Sequence, residues 1–261
     1  MSLAGEERKE YIVSLLESNG KVRTVDLIKR FNVSSETIRR YLEELEKENK
    51  LKRVYGGAVK IDLDHDEPSH LNREVLHSEE KKKIGKMAAG LVQDNDIVII
   101  DEGTTPLQMI PHLIFKNNLT IITSSIPALS RLISYDNKGL FSGEIIIVGG
   151  TVQSKHLRVA GSICEHMMDN IYADKAFIAV DGVLTSKGIT GNNVDKSLLS
   201  KKYIDNSRQS IVLADHSKIG TYHFYKISDL KDIDTVISNV SAPGEWSQYL
   251  KEYGVGWMIA D

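Results

Sequence analysis

The sequence predicts an α/β protein in two parts: a small helical head that ends in a hairpin, then a larger body built on a mainly parallel sheet. Three observations carry this expectation. The 261 residues suit one large domain or two ordinary ones. Charge is split along the chain: residues 1–61 hold 13 Lys/Arg against 10 Asp/Glu, whereas the whole chain is net −3, so a basic head precedes an acidic body. The apolar pattern also changes, from helical spacing in the head to short β-branched runs alternating with helical segments after residue 80. With 41% hydrophobic and 26% charged residues, 19 Gly and only 5 Pro, the composition excludes a collagen, a disordered tail and a coiled-coil rod.

The head reads as three helices. Tyr11, Ile12, Leu15 and Leu16 define the first, and Asn19-Gly20 stops it. Thr24 is expected to cap a short second helix carrying Val25, Leu27, Ile28 and Phe31, with a tight connection at Asn32-Val33. Ser34 is placed to accept from the first free amides of a third helix, whose Ile38, Leu42 and Leu45 share one face. The other face presents Ser35, Thr37, Arg39, Arg40 and Tyr41. Residues 51–61 then read as two strands around a Gly-Gly turn, made basic by Lys52, Arg53 and Lys60. Residues 21–61 carry 11 basic against 6 acidic side chains, the local asymmetry that binding to a phosphate backbone uses. Two short helices around a tight turn, followed by a basic hairpin, make a winged helix-turn-helix suited to a DNA major groove.

These residues resemble the bacterial DeoR-type family of transcriptional repressors, whose DNA-binding region is similar to Val33-Ser34-Ser35-Glu36-Thr37-Ile38-Arg39-Arg40 and ends in an Arg-Val-Tyr-Gly-Gly-Ala wing. Tyr41 departs from the family, where an acidic residue commonly follows the paired arginines. The expected DNA-binding residues are Ser35, Thr37, Arg39, Arg40, Lys52, Arg53 and Lys60, in a domain over residues 1–61.

Residues 62–80 hold seven acidic side chains, one Pro and three His without a sustained apolar face, and read as a linker. His65, His70 and His77 are not spaced as metal ligands, and no metal or cofactor is expected. The body spans 81–261, opening on an amphipathic helix with Ile84, Met87, Ala88 and Leu91. Strands are expected at 97–100, 119–123, 144–148, 175–180, 210–214 and 235–238.

Ligands bind beyond the C-terminal ends of strands in open α/β sheets. The first strand is followed by Asp101-Glu102-Gly103-Thr104-Thr105-Pro106, where Gly103 permits a tight bend and Pro106 suits the first turn of a helix. The threonine hydroxyls and free amides there could face an anion. Later strand ends bring Thr123-Ser124-Ser125, Gly149-Gly150-Thr151, Asp181-Gly182-Val183 and Asp215-His216-Ser217-Lys218. Hydroxyls, glycines, carboxylates and a lysine on one rim suit a phosphorylated sugar or polyol. The body resembles the DeoR-type effector domain, itself similar to ribose-5-phosphate isomerase and glucosamine-6-phosphate deaminase. That resemblance implies that Gly103, Thr104 and Thr105 hold a phosphate, Asp181 faces the sugar and Lys218 supplies counter-charge. Thr123, Ser124, Gly149, Gly150, Gly182, Asp101 and the loop residue Asp195 complete the expected effector site.

Two other function classes compete. A sugar-phosphate isomerase or deaminase needs an acid/base carboxylate and a group that opens the ring. Asp181 could be the first, but the ring-opening His that follows Asp-Gly in the deaminase is replaced by Val183, so no catalytic residue is expected. A DNA-binding protein whose body has lost its ligand is the third class. The longest apolar runs, such as Ile97-Val98-Ile99-Ile100, are far below the roughly 18 residues that span a bilayer. Residues 1–9 lack the apolar core of a secretory signal, and the single cysteine, Cys164, cannot form an intrachain disulfide, so a cytoplasmic setting is expected. A homo-oligomer is expected as well, since one small winged head buries little DNA surface.

Overall fold

The computed structural model describes residues 3–47, 50–60 and 67–261. The chain divides into two compact units, Met1–Asp66 and Glu67–Asp261.

The first unit runs α1 (Leu3–Asn19), β1 (Lys21–Arg23), α2 (Thr24–Phe31), α3 (Ser35–Lys47), β2 (Leu51–Val54) and β3 (Gly57–Lys60). Ile12 and Leu16 of α1, Leu27 of α2 and Ile38, Leu42 and Leu45 of α3 close over Leu51 and Ala58 as one apolar core. Asn32 turns the chain between α2 and α3 in a left-handed conformation at φ 49°, which Asn tolerates better than most residues. Ser34 caps α3 as its position suggested, its Oγ accepting from the Thr37 amide at 3.2 Å. Thr24 does not cap α2. It is the first helical residue, and Arg23 before it pairs instead with Asp26 at 2.8 Å.

Two further expectations for the head are corrected. Tyr41 is only 7% exposed and belongs to the core, so it is absent from the presented face of α3. The hairpin turn is Tyr55-Gly56, and the second glycine already lies in β3. The two glycines answer different constraints. Gly56 sits at φ 82° with open space around it, whereas a Cβ on Gly57 would collide with the Val22 carbonyl. The reason is β1, a strand not foreseen from the sequence, which pairs with β3 to give an antiparallel sheet in the order β1-β3-β2.

The second unit runs α4 (His70–Val75), α5 (Ser78–Gly90), β4 (Ile97–Ile100), α6 (Ile110–Leu113), β5 (Asn117–Thr123), α7 (Ile126–Asp136) and β6 (Ser142–Ile147). The hairpin β7 (Thr151–Gln153) and β8 (Arg158–Ala160) leads to α8 (Ser162–Met168), β9 (Ala173–Ala179), β10 (Gly182–Leu184) and β11 (Gly188–Gly191). The chain ends with α9 (Val194–Asp205), β12 (Ser207–Leu213), β13 (Tyr225–Ser228), β14 (Thr235–Ser238), α10 (Ser247–Tyr253) and β15 (Gly256–Ile259). All six expected strands are present, within a seven-stranded sheet of order β15-β14-β12-β9-β4-β5-β6. Every pairing in it is parallel.

Burial on both faces explains the continuous apolar runs. Ile99, Ile122, Ile178 and Val212 pack into one layer, and their neighbours Val98, Ile100, Ile121, Phe177 and Ile211 into the other. Cys164 is a buried member of the first layer. The registers Ile100↔Thr123, Thr123↔Ile147, Ile100↔Phe177 and Phe177↔Ile211 bring the C-terminal ends of β4, β5, β6, β9 and β12 to one edge. The expected linker at residues 62–80 is corrected for its part from Glu67 onward. Residues 62–66 lie outside the described residues, but from Glu67 onward the chain is part of the second unit.

The two adjacent glycines give opposite expectations. Gly57→Ala should open β1 from β3, with a loss of more than about 1 kcal/mol because the native backbone cannot accept the methyl. Gly56→Asn should cost less than about 1 kcal/mol, since Asn visits the left-handed region. Hydrogen exchange of the β1 and β3 amides measures both, and equal effects would contradict this account of the turn.

Candidate DNA interface and effector site

On the first unit, α3 leaves Ser35, Arg39 and Arg40 exposed beyond its capped N-terminus. Arg40 lies over the Tyr41 ring and 3.9 Å from Glu44, so Tyr41 supports the arginine from beneath. Thr37 is half-buried, and its hydroxyl bonds Ser34 Oγ at 2.9 Å. Arg53 is held by Glu46 of α3, with Nε 2.8 Å from Oε2 and its own amide donating to Oε1 at 2.8 Å. That pair ties the wing to α3 and offsets part of the wing's charge. The side chains of Lys52 and Lys60 lie outside the described residues.

In the second unit, the residues after β4 depart from expectation. Pro106–Met109 is a single 3-10 turn and α6 is only four residues long. Pro111, in the first turn of α6, has no amide to continue an α-helix begun at Pro106. The anticipated helix terminus is therefore no dipole source, and the donors on offer are backbone amides and threonine hydroxyls. Gly103 is required, with φ 143° and a Cβ position 2.7 Å from the Ala179 methyl.

Several expected site residues serve the scaffold. Asp101 is 1% exposed; its Oδ1 accepts from the Glu102 amide at 2.8 Å, and its Oδ2 from Ala179 N at 3.1 Å and Ser200 Oγ at 2.9 Å. Burial pushes its carboxyl up to about 6, despite Lys196 4.0 Å away. Thr123 Oγ1 donates to the Ile100 carbonyl at 2.7 Å and accepts from Ser125 N at 3.1 Å. Gly150 and Gly182 admit close neighbours: a Cβ would meet Cys164 Sγ at 2.6 Å and the Thr221 carbonyl at 2.6 Å respectively. Gly149 has open space around it. Ser124 is fully buried, whereas Asp195 is exposed on the first turn of α9, 3.4 Å from Gln153 Nε2.

The residues that do converge are Thr104, Asp181, Asp215 and Lys218, joined by Lys81, Arg73, Glu67, Arg158 and Lys196, which the sequence reading missed; Thr105 is buried, its carbonyl accepting from Gln108 N at 3.0 Å. Burial opposes ionisation of Asp181, but Lys196 and Lys218 outweigh it and hold the carboxyl below its ordinary range. Its Oδ2 accepts from Asn192 N at 2.9 Å. Lys81 of α5 is nearly buried, and desolvation draws its ammonium down to about 8 although Asp215 opposes this. Lys196 of α9 donates to the Ala179 carbonyl at 2.5 Å.

Beside them lies a buried ionic cluster. Arg158 Nη1 is 2.7 Å from Glu102 Oε1 and 2.8 Å from Glu67 Oε2; Arg73 Nη1 is 2.8 Å from Glu67 Oε1 and Nη2 is 3.5 Å from Glu102 Oε2. For Glu102 burial is outweighed by Arg73 and Arg158, which take the carboxyl to about 2. For Glu67 burial and the Glu102 charge prevail, and its carboxyl is raised. Burial and Arg158 lower His156 to about 4, so at neutral pH it is an uncharged neighbour of Glu67.

This cluster sets an acid dependence. The folded Glu102 carboxyl lies below its ordinary value of 4.5, so its contribution is complete above about pH 4.5 and is lost as pH falls toward 2. Arg158→Met should destabilise the second unit by about 3–5 kcal/mol at neutral pH, because two buried carboxylates then share one guanidinium. The loss should shrink on acidification as they protonate. Denaturant unfolding across that range checks it; a deficit independent of pH would contradict the pairing.

Comparison with known proteins agrees with this two-part arrangement. A family model for the DeoR-like helix-turn-helix domain matches residues 8–63, and one for the DeoR C terminal sensor domain matches residues 76–240. The chain is 35% identical to the HTH-type transcriptional regulator YulB of Bacillus subtilis (strain 168) over 89% of its length and 88% of that protein's. It is 33% identical to the HTH-type transcriptional repressor GlcR of the same organism, over 98% of this chain and 96% of the relative. Among solved structures, ribose 5-phosphate isomerase A from Methanocaldococcus jannaschii aligns over 54% of both chains with a TM-score of 0.39 and 19% identity. Matched over both units, the chain belongs to the DeoR family of HTH-type transcriptional regulators.

Proposed function

We propose that this regulator represses a carbohydrate-catabolism operon and leaves its operator when a phosphorylated sugar or polyol binds the second unit. The observation that supports this most is the convergence of Thr104, Lys81 and Lys218 with Asp181 and Asp215 at one sheet edge. Ammonium groups and hydroxyls suit a phosphate, and carboxylates suit sugar hydroxyls. Asp101, Thr123, Gly150 and Gly182 act by holding that edge in shape. On the first unit, Arg39, Arg40 and Ser35 contact DNA, while Thr37 positions the start of α3 and Arg53 braces the wing. A homo-oligomer in the cytoplasm, presenting two heads to repeated half-sites, completes the reading. The relative named GlcR is a transcriptional repressor, which agrees with the direction proposed.

The experiment is a thermal-shift panel of pentose, hexose and polyol phosphates on the full chain, with the unphosphorylated sugars alongside. A ligand at 100 times its dissociation constant should add about 2.7 kcal/mol of stability. Lys218→Ala should reduce that shift and leave operator binding intact, whereas Arg39→Ala with Arg40→Ala should abolish operator binding and keep the shift. Stabilisation by unphosphorylated sugars alone would contradict the phosphate assignment, and turnover of any panel member above about 1 per second would favour an isomerase or deaminase.

A further inference from the structure

The segment that opens the second unit places its own polar groups among the donors of the proposed effector site. The Arg73 carbonyl of α4 accepts from Lys81 Nζ at 2.5 Å and from Thr104 Oγ1 at 3.4 Å. One backbone oxygen thus sits where an ammonium and a hydroxyl of the proposed phosphate site converge. The Glu67 carboxylate, 3% exposed, lies between Arg158 and Arg73. Residues 67–76 therefore present one carbonyl and one carboxylate to donors of the kind that recognise a phosphomonoester.

The segment has two further anchors: His70, 2% exposed, whose amide donates to the Lys155 carbonyl at 3.2 Å, and Glu74, 3.5 Å from Arg131 Nη2. Six helical residues are too few to be stable alone. The two large apolar side chains of α4, Leu71 and Val75, are 60% and 66% exposed, so apolar burial contributes little. The hold is polar, and it is imperfect: among the described residues, Arg73 Nε and Arg158 Nη2 are buried without a hydrogen-bond partner. Arg73 leaves with Glu67 when the segment is freed, so Arg158 keeps Glu102 as its partner while its unpartnered Nη2, Lys81 and Thr104 are left to donate to a phosphate. Desolvation and the Glu102 charge make Glu67 the less favourably ionised carboxylate of the two, hence the easier to replace.

We propose that residues 67–76 are an internal competitor of the effector: a sugar phosphate displaces the Arg73 carbonyl and the Glu67 carboxylate, engages Lys81, Thr104 and Arg158, and frees the segment that leads covalently to the DNA-binding unit. The inference rests on the effector reading of this sheet edge and adds the element that the effector moves. Apparent affinity falls with the fraction of molecules open, so a segment closed in nine molecules of ten weakens binding about tenfold.

Hydrogen exchange on the full chain tests it, with inorganic phosphate, ribose 5-phosphate, glucose 6-phosphate and fructose 1-phosphate as probes and Glu67→Gln as the variant. A bound probe should slow exchange at residues 101–107 and speed it at 67–76, and Glu67→Gln should bind the same probe several-fold more tightly. Slowed exchange at 101–107 with 67–76 unchanged or slowed overturns the displacement while keeping the effector site. This arm is read on the unaltered protein and does not depend on how the variant folds. No slowing at 101–107 with any probe, in either chain, overturns the effector reading and this inference with it.

Discussion

Two buried guanidiniums, Arg73 and Arg158, neutralise two buried carboxylates, Glu67 and Glu102, at the edge where the parallel strands end, and the second unit is organised around that balance. Charges removed from water cost several kcal/mol each unless they are paired in good geometry, so losing one of the four is costly unless another charged group takes its place. Glu102 is the second residue after β4, Arg158 begins β8, and Glu67 and Arg73 come from the segment before α5. The pairing therefore ties three separate stretches of chain to one sheet edge. Its cost is met by the scaffold beneath: Asp101 anchors the turn after β4 to the end of β9 and to Ser200 of α9.

The parallel sheet explains why this chemistry gathers where it does. All seven strands run the same way, so their loops gather at two edges, and β4, β5, β6, β9 and β12 end together. Helices cover both faces, which leaves the edge as the place for groups that must meet a ligand. Such a site can act on DNA binding only if its ligand distinguishes two arrangements of the protein. A polar segment lodged at that edge, adjoining the chain that leads to the first unit, provides an arrangement for the ligand to select against.

What was legible in the sequence followed local rules. The expected strands at 97–100 and 235–238 coincide with β4 and β14, and Ser34 caps α3, because β-branched runs and short hydroxyl side chains act within a few residues. What was missed depends on distant partners. Strand β1 is three residues long and exists by pairing with β3. Arg158 lies 91 residues from Glu67 and 56 from Glu102, so its role cannot be read from its neighbours. Lys81 looked like the charged start of an amphipathic helix, yet it faces inward to the Arg73 carbonyl. Residues 67–76 read as linker because they have no apolar face, and charge pairing leaves no periodicity to find. Tyr41 follows the two presented arginines in sequence, yet its ring packs into the core of the first unit.

Coupling between the two units is the central claim, and reciprocity tests it most directly. Titration calorimetry of the stabilising sugar phosphate, with the full chain free and then saturated with an operator duplex selected from a random pool, gives two dissociation constants. The account predicts that operator raises the effector's dissociation constant by the same factor by which effector weakens operator binding, about 5- to 150-fold for typical couplings. An effector affinity identical in the two titrations would contradict it.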